Sequence, residues 1–389
     1  MKLAARCARA CAPWFLCLVS AAALAQPVRL NVASFNVGWW VSNAEFGQLV
    51  AQCSAPDRNW CDPRDSAQCQ PTAKGLPPCN AYAEYHRPMS GGAPVPVVVP
   101  TPTYWEAKRL ALEQTLRSIR PDVIAFQEIS GEQAARAVFG SAHDQYAYCT
   151  STDRDSQNPQ AQRLVIAVRK SAFAIASCHT DQALAVEDVQ SPGHFTRPGL
   201  IADLSGPAGR LKVANLHLKS GCASPAGDPR FDFRGAYLDS TENKNCPTLR
   251  KQVEPLERLI ERETGSGGNF ILLGDFNRKL DLELDRKAGD VRAGGGSAQG
   301  IPAPAVAVRL LWPEINDRDP AGSELMLLRR EPRASECAAN EGLDHIAMSQ
   351  NLAAANAGVR SREVDMARFA GGMVPASDHC PLAVQISLP

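Results

Sequence analysis

The sequence has no surplus charge of either sign, no apolar run beyond its first residues and no closely spaced cysteine pairs. Lysine and arginine together number 41, and so do aspartate and glutamate. Without a positive excess, the chain is not built to coat nucleic acid through salt-driven contacts over its whole surface. A nuclease relying on a metal and a few local contacts is still compatible. After residue 25 no stretch stays apolar for the roughly 20 residues that a membrane helix needs. None of the thirteen cysteines forms a CxxC pair, which argues against a structural zinc site. No internal repeat and no convincing linker divide the chain, so one large domain with insertions is expected over residues 26–389.

What is present starts at the N-terminus. Lys2, Arg6 and Arg9 precede an apolar segment over residues 12–24, and Ala23-Leu24-Ala25 stands before Gln26. A basic start, a short apolar stretch and small residues at the cut describe a secretory signal peptide over residues 1–25. The expected location is therefore secreted or periplasmic. Removal takes three bases and no acids, leaving 38 bases (41 less 3) against 41 acids. It also takes Cys7, Cys11 and Cys17, leaving ten cysteines. An even number in an exported chain reads as disulfides. The expected pairs are Cys222–Cys246, Cys149–Cys178 and Cys337–Cys380, each contributing about 2–4 kcal/mol by restricting the unfolded chain. Cys53, Cys61, Cys69 and Cys79 crowd a polar insertion at about 53–102, which has little material for a core and is expected to be held by cross-links.

Strand-like runs recur at residues 28–35, 122–127, 164–169, 200–204, 211–218, 270–273 and 383–386. Between them, residues 104–120 form a helical pattern that sets Leu110, Leu112, Leu116 and Ile119 near one face, stopped by Pro121. Residues 248–263 form another, in which Pro255 favours a late helix start. Such a series predicts an α/β fold of two packed mixed sheets with covering helices. Residues 153–160 and 293–305 read as irregular insertions beside the cysteine-rich one.

Polar residues gather at the ends of the strands. ILLGDFN (residues 271–277) runs an apolar strand into Gly274, where the backbone can bend, then sets Asp275 and Asn277 two positions apart. On an extended segment such residues point the same way. SFN ends at Asn36, FQE at Gln127 and Glu128, and NLHLKS places His217 with Lys219 on the same side. LDHI supplies Asp344, and SDHCP supplies Asp378 and His379. His345 is expected to point away from its neighbour and to be structural.

This ordered set resembles the endonuclease/exonuclease/phosphatase superfamily of deoxyribonuclease-type, metal-dependent phosphodiesterases. The resemblance implies a four-layered sandwich with the site at one edge of its two central sheets. It also implies Mg²⁺, with Mn²⁺ as a substitute, at Glu128 with Asn36 nearby and Asp378 helping; hard cations prefer such oxygen donors. His379 would act as general base or stabilise charge beside the attacked phosphorus, with Asp344 holding its ring. Asp275 would orient the nucleophile, Asn277 would donate to a phosphate oxygen and His217 would serve as the second histidine. Two departures stand out. Val37-Gly38 follows Asn36 where some relatives carry an acid that helps hold metal. Gln162 stands where a glutamate would support His217, which moves His217 toward phosphate binding. Arg197 could contact phosphate, although a turn before its strand is the simpler reading. Lys219 is the better cation.

An exported Mg²⁺-dependent phosphodiesterase follows, a nuclease on extracellular or periplasmic nucleic acid. A phospholipase C- or sphingomyelinase-like enzyme or a phosphomonoesterase is the alternative, and a non-catalytic binding module on the same fold stays open. No protein partner or membrane anchor is evident, and a monomer is expected.

Overall fold

In β1 (Arg29–Trp40), Leu30 and Val32 face one way and Ala33, Phe35 and Val37 the other, the period of two that a strand imposes. Both faces are buried, so the strand lies inside a layered structure. One six-stranded sheet has the order β11 (Arg362–Glu363), β14 (Leu382–Ser387), β1, β2 (Val123–Ile129), β4 (Arg163–Arg169) and β3 (Tyr146–Thr150). The other has the order β5 (Ala174–Asp181), β6 (Gly199–Gly206), β7 (Gly209–His217), β8 (Phe270–Asp275), β10 (Asp344–Ser349) and β9 (Leu325–Leu327). A two-stranded pair, β12 (Arg368–Phe369) and β13 (Val374–Pro375), stands apart. Each large sheet is mixed: β1 runs parallel to β2, and β7 parallel to β8, with antiparallel neighbours outside them.

The computed structural model describes residues 28–53, 75–77, 101–154, 159–222, 237–240, 243–265, 267–284, 310–337, 340–369, 371–372 and 374–389. The expected signal peptide, most of the cysteine-rich insertion and the 293–305 insertion lie outside the described residues.

Three apolar cores define four layers. Leu30, Val32 and Ile166 meet Val213, Ile271 and Ile346 between the sheets. The outer face of the first sheet packs Phe35, Phe126 and Val165 against α1 (Asn43–Cys53), α2 (Pro102–Ile119) and α3 (Glu132–Phe139). The outer face of the second packs Leu216, Phe270 and Leu272 against α4 (Cys246–Thr264). The α/β sandwich expected from the sequence is the one observed. All seven expected strands are present, with ends displaced by a few residues.

Two helical details differ from expectation. In α2, the Thr101 hydroxyl caps the Tyr104 N–H and Leu112, Leu116 and Ile119 are buried, but Leu110 is 51% exposed. Two residues subtend about 200° on a helix, so Leu110 and Leu112 cannot share a face. In α4, Pro255 lies inside the helix rather than at its start. A proline there costs about 3 kcal/mol. Burial of Leu249, Val253, Leu256, Leu259, Ile260 and Pro255 itself offsets that cost.

The three expected disulfides all form: Cys149–Cys178, Cys222–Cys246 and Cys337–Cys380. The first joins β3 to β5 and so ties the two sheets together. The last braces the residue that directly follows His379. Among the described residues, no helix is long and apolar enough to cross a membrane.

Candidate active site

Parity along the strands decides which side chains line the gap between the sheets. Val32, Ser34 and Asn36 continue one face of β1; Ile271, Leu273 and Asp275 continue one face of β8. The gap is apolar for most of its length and turns polar at one end. Ser34, Gln127 and Asn215 form the buried base of that end. Gln127 Nε2 donates to Asn215 Oδ1 at 2.7 Å, and Asn215 Nδ2 donates to the Phe126 carbonyl at 2.9 Å. These bonds cross from one sheet to the other and hold the sheets in register beneath the site.

Above this base, backbone pairing sets His217 opposite Asp275 on one side and Asp344 opposite Asp275 on the other. Asp275 Oδ2 is the meeting point. Asn36 Nδ2 donates to it at 3.0 Å, and the Nε2 atoms of His217 and His379 lie 3.5 and 3.8 Å away. On its far side, the His379 ring is held by Asp344, with Nδ1 and Oδ2 2.7 Å apart. Ser377 fixes the approach of this loop, its hydroxyl donating to the Asn36 carbonyl at 2.7 Å and accepting from the His379 N–H at 3.2 Å.

The two histidines differ in charge. Burial alone would depress His379, but the carboxylates of Asp344 and Asp275 push it up to about 10. His217 is driven well below the ordinary imidazole range by burial and then by the Arg197 guanidinium. Burial raises Asp275 to about 7. The site thus pairs an imidazolium and a neutral imidazole across a carboxyl that holds its proton more readily than usual.

Asn36 pairs with Gln127 where the regular parallel register of β1 and β2 stops, and Glu128 follows Gln127. Glu128 Oε2 accepts from the Trp39 N–H at 3.2 Å, and its Oε1 lies 3.7 Å from His217 Nε2. Asp378 is exposed at the rim, where Asn340 Nδ2 donates to its Oδ2 at 3.0 Å. Asn36, Glu128 and Asp378 supply oxygen donors alone, which suits a hard divalent cation. Asp275, Asp344 and His379 also bring ligand atoms within 4.8 Å of one another. There, however, one ring nitrogen is already held by Asp344, whereas the oxygen set offers only the donors a hard cation prefers.

A family model described as Endonuclease/Exonuclease/phosphatase family matches residues 89–379 of the 389. The chain belongs to this family. Its members act typically as hydrolases of phosphoester bonds and commonly depend on a divalent metal. Humanized D. rerio TDP2 carrying 14 mutations is 14% identical, covering 92% of this chain and 99% of its own, with a TM-score of 0.45. D. rerio TDP2 complexed with a single-strand DNA product is also 14% identical, with coverages of 92% and 99% and a TM-score of 0.44. The endonuclease/exonuclease/phosphatase from Bacteroides vulgatus is 11% identical, with coverages of 93% and 100% and a TM-score of 0.45. No curated protein matches the sequence significantly.

Around His217, the two cations are placed the other way round from the sequence expectation. Arg197 is half-buried against His217, its Nη2 contacting Nε2 and its Nε without a hydrogen-bond partner. Lys219 instead pairs with Asp188 at 2.8 Å. The antiparallel pairing of β6 with β7 explains the placement, since Leu200 opposes Asn215 and the residues before β6 therefore lie beside the end of β7. Arginine only donates, so His217 Nε2 accepts and its proton sits on Nδ1, which is buried without a partner. Gln162 is not among the contacts of His217, and Arg197 takes the supporting place expected of it.

Asn277 also departs from expectation. β8 ends at Asp275, and Asn277 adopts φ +52°, so the two side chains do not continue one strand face. Its amide Nδ2 donates to the Leu218 carbonyl at 3.0 Å, and its backbone N–H donates to Asp275 Oδ1 at 2.7 Å. Asn277 thus secures the ends of β7 and β8 and aims the Asp275 carboxyl. His345 points away, buried edge-on to Phe276 with Nε2 2.8 Å from the Arg278 carbonyl.

His345 carries a prediction about acid. Burial, followed by the nearby Arg330, lowers its pKa to about 3, whereas an unfolded histidine titrates near 6.5. The unfolded chain then binds the extra proton between about pH 6.5 and 3, so the stabilising effect of the neutral ring is present above that window and lost as pH falls through it. In denaturant titrations, the stability of the wild type should fall more steeply than that of His345→Asn by about 1.4 kcal/mol per pH unit. Equal slopes in the two proteins would contradict this assignment.

Proposed function

We propose that this chain is an exported, Mg²⁺-dependent phosphodiesterase that cleaves nucleic acid. The observation that carries the reading is the Asp275 carboxyl between an imidazolium and a neutral imidazole, at 3.8 and 3.5 Å, beside an all-oxygen donor set. The Asp275 carboxylate orients the attacking water and takes its proton as the bond from oxygen to phosphorus forms. His379, kept as an imidazolium by Asp344, offsets the negative charge that grows on the phosphate oxygens. Arg197 reaches the phosphate from the opposite side with its guanidinium donors, and neutral His217, accepting from its Nη2, orients it. Asn36 keeps Asp275 Oδ2 turned toward both rings. Asn36, Glu128 and Asp378 would hold the Mg²⁺, which when bound neutralises charge on the phosphate and the leaving oxygen. Export is supported by the signal-peptide pattern at residues 1–25 and by three disulfides, which persist in oxidising compartments.

One panel tests the reading. The oxidised protein from residue 26 onward is incubated with Mg²⁺ or Mn²⁺ and plasmid DNA, RNA, sphingomyelin or inositol phosphates. Cleavage of DNA or RNA, abolished by a chelator, is expected. Cleavage of the lipid alone would replace the nuclease reading with a phospholipase one.

A further inference from the structure

Two tryptophans follow one another at the end of β1, and the fold treats them oppositely. Trp40 is wholly buried and stacked on Trp105 with ring centroids 4.9 Å apart, and its indole N–H donates to the Ala134 carbonyl at 2.9 Å. Trp39 is half-buried and belongs to none of the three apolar cores. Among the described residues its ring stacks on no other ring, and its indole N–H has no partner. A ring of this size ordinarily packs into a core and pairs its N–H there.

The backbone holds Trp39 beside the oxygen donors. Val37, Gly38 and Trp39 lie between the paired positions Asn36 and Trp40 of β1, whereas Glu128 alone lies between Gln127 and Ile129 of β2. The surplus residues form a bulge, a device that re-aims side chains next to a site. Gly38 and Trp39 are left-handed there, at φ +60° and +53°, and Glu128 opposite them is too, at +57°. For a residue as bulky as tryptophan this conformation is strained and persists only where the surroundings impose it. Here the Gly38 N–H donates to Asn36 Oδ1 at 3.1 Å, and the Gly38 carbonyl accepts from Lys108 Nζ on α2. The Trp39 N–H donates to Glu128 Oε2 at 3.2 Å. That last bond ties the backbone under the indole directly to Glu128.

We propose that Trp39 is a stacking platform for one nucleobase next to the phosphate being cleaved, and that the platform selects single strands. The inference rests on the nuclease reading above and names the form of nucleic acid it takes. A phosphate held at Glu128 carries its base on the adjoining sugar, within reach of a ring whose own backbone touches that carboxylate. Every base has a flat face, so such stacking is tolerant of sequence. In a duplex both faces are covered by neighbouring bases, and only an unpaired base can lie on the indole. A lipid surface suits the ring less well, because insertion takes several apolar side chains together. The large apolar side chains exposed among the described residues are Val28, Leu110, Val189 and Leu282, none of them on this turn.

The test measures kcat/KM on a single-stranded DNA dodecamer and on the same sugar–phosphate chain without bases. Trp39→Ala is expected to lose about tenfold more on the dodecamer than on the base-free chain. Trp39→Phe, which keeps a flat ring, should restore most of that difference. Equal losses on the two chains would overturn the inference, since Trp39 would then act only through Glu128. A wild type that cuts the duplex of the same sequence as fast as the single strand would overturn it as well. So would a loss confined to sphingomyelin vesicles, which would assign the ring to lipid. If the alanine variant does not fold, Trp39→Leu, bulky but not flat, is read in its place. No cleavage of either chain by the wild type would remove the nuclease reading itself.

Discussion

His379→Ala should lower kcat/KM for phosphodiester cleavage by about a thousandfold while the protein stays folded, and Asp344→Asn should cause a loss of the same order. The geometry explains why both substitutions act on one function. Asp344 Oδ2 lies 2.7 Å from His379 Nδ1, and this contact fixes which ring nitrogen faces Asp275. An asparagine can accept from the ring but carries no charge, so the imidazolium loses its main stabilising partner. The double variant should then be no worse than His379→Ala, because Asp344 acts through the ring it holds. Folding should survive, since His379 lies on the loop before β14 and lines the polar end of the gap rather than any of the three cores. Hydrolysis of a chromogenic phosphodiester, together with circular dichroism and melting curves, checks both halves. A folded His379→Ala with full turnover would remove His379 from the chemistry.

Strands covered on two sides were mostly legible, although β10, which opens with Asp344-His345 and is buried throughout, was not. β1, β2, β4, β7 and β8 show as apolar runs because each is covered on two sides. β5 was not, since AIASCHTD is largely exposed and has no clear alternation. β3 has only five residues, too few to show a period. The candidate site residues were legible as polar side chains at the ends of apolar strands, and His217, Asp275 and Asp344 do meet in one row.

Pairings between distant segments were not legible. Asp275 and Asn277 have the spacing of a shared strand face, yet the left-handed backbone at Asn277 separates them. Arg197 was within reach of sequence reasoning: a short turn at Gly206 to Gly209 joins β6 and β7, and counting back from it sets residue 197 beside the end of β7. Lys108 was not, because a lysine in an amphipathic helix gives no sign of the carbonyl it will meet across the fold.

Gly274→Ala should destabilise the protein by about 4 kcal/mol or more, the largest stability effect expected of any single methyl group here. The sequence suggests a glycine that lets the chain bend as it leaves the sheet. The structure puts Gly274 inside the ladder, paired with Leu216 on one side and His345 on the other. Its φ is +139°, and an added Cβ would lie 2.1 Å from the Leu216 carbonyl oxygen and 2.8 Å from the Leu216 nitrogen. Both obstacles are backbone, so no side-chain rotation relieves them, and the φ adds strain of its own. Relief requires β7 and β8 to separate at the position adjoining the His217–Asp275 pair. Activity should therefore fall together with stability, and any folded remainder should have a misplaced Asp275. Gly47→Ala is the matched control: it lies in α1 with nothing within 4 Å of its added Cβ, and should stabilise by about 0.5–1 kcal/mol. Urea titration of the two variants gives the comparison. Near-native stability in Gly274→Ala would mean that β7 and β8 do not approach as closely as the shared His217–Asp275 site requires.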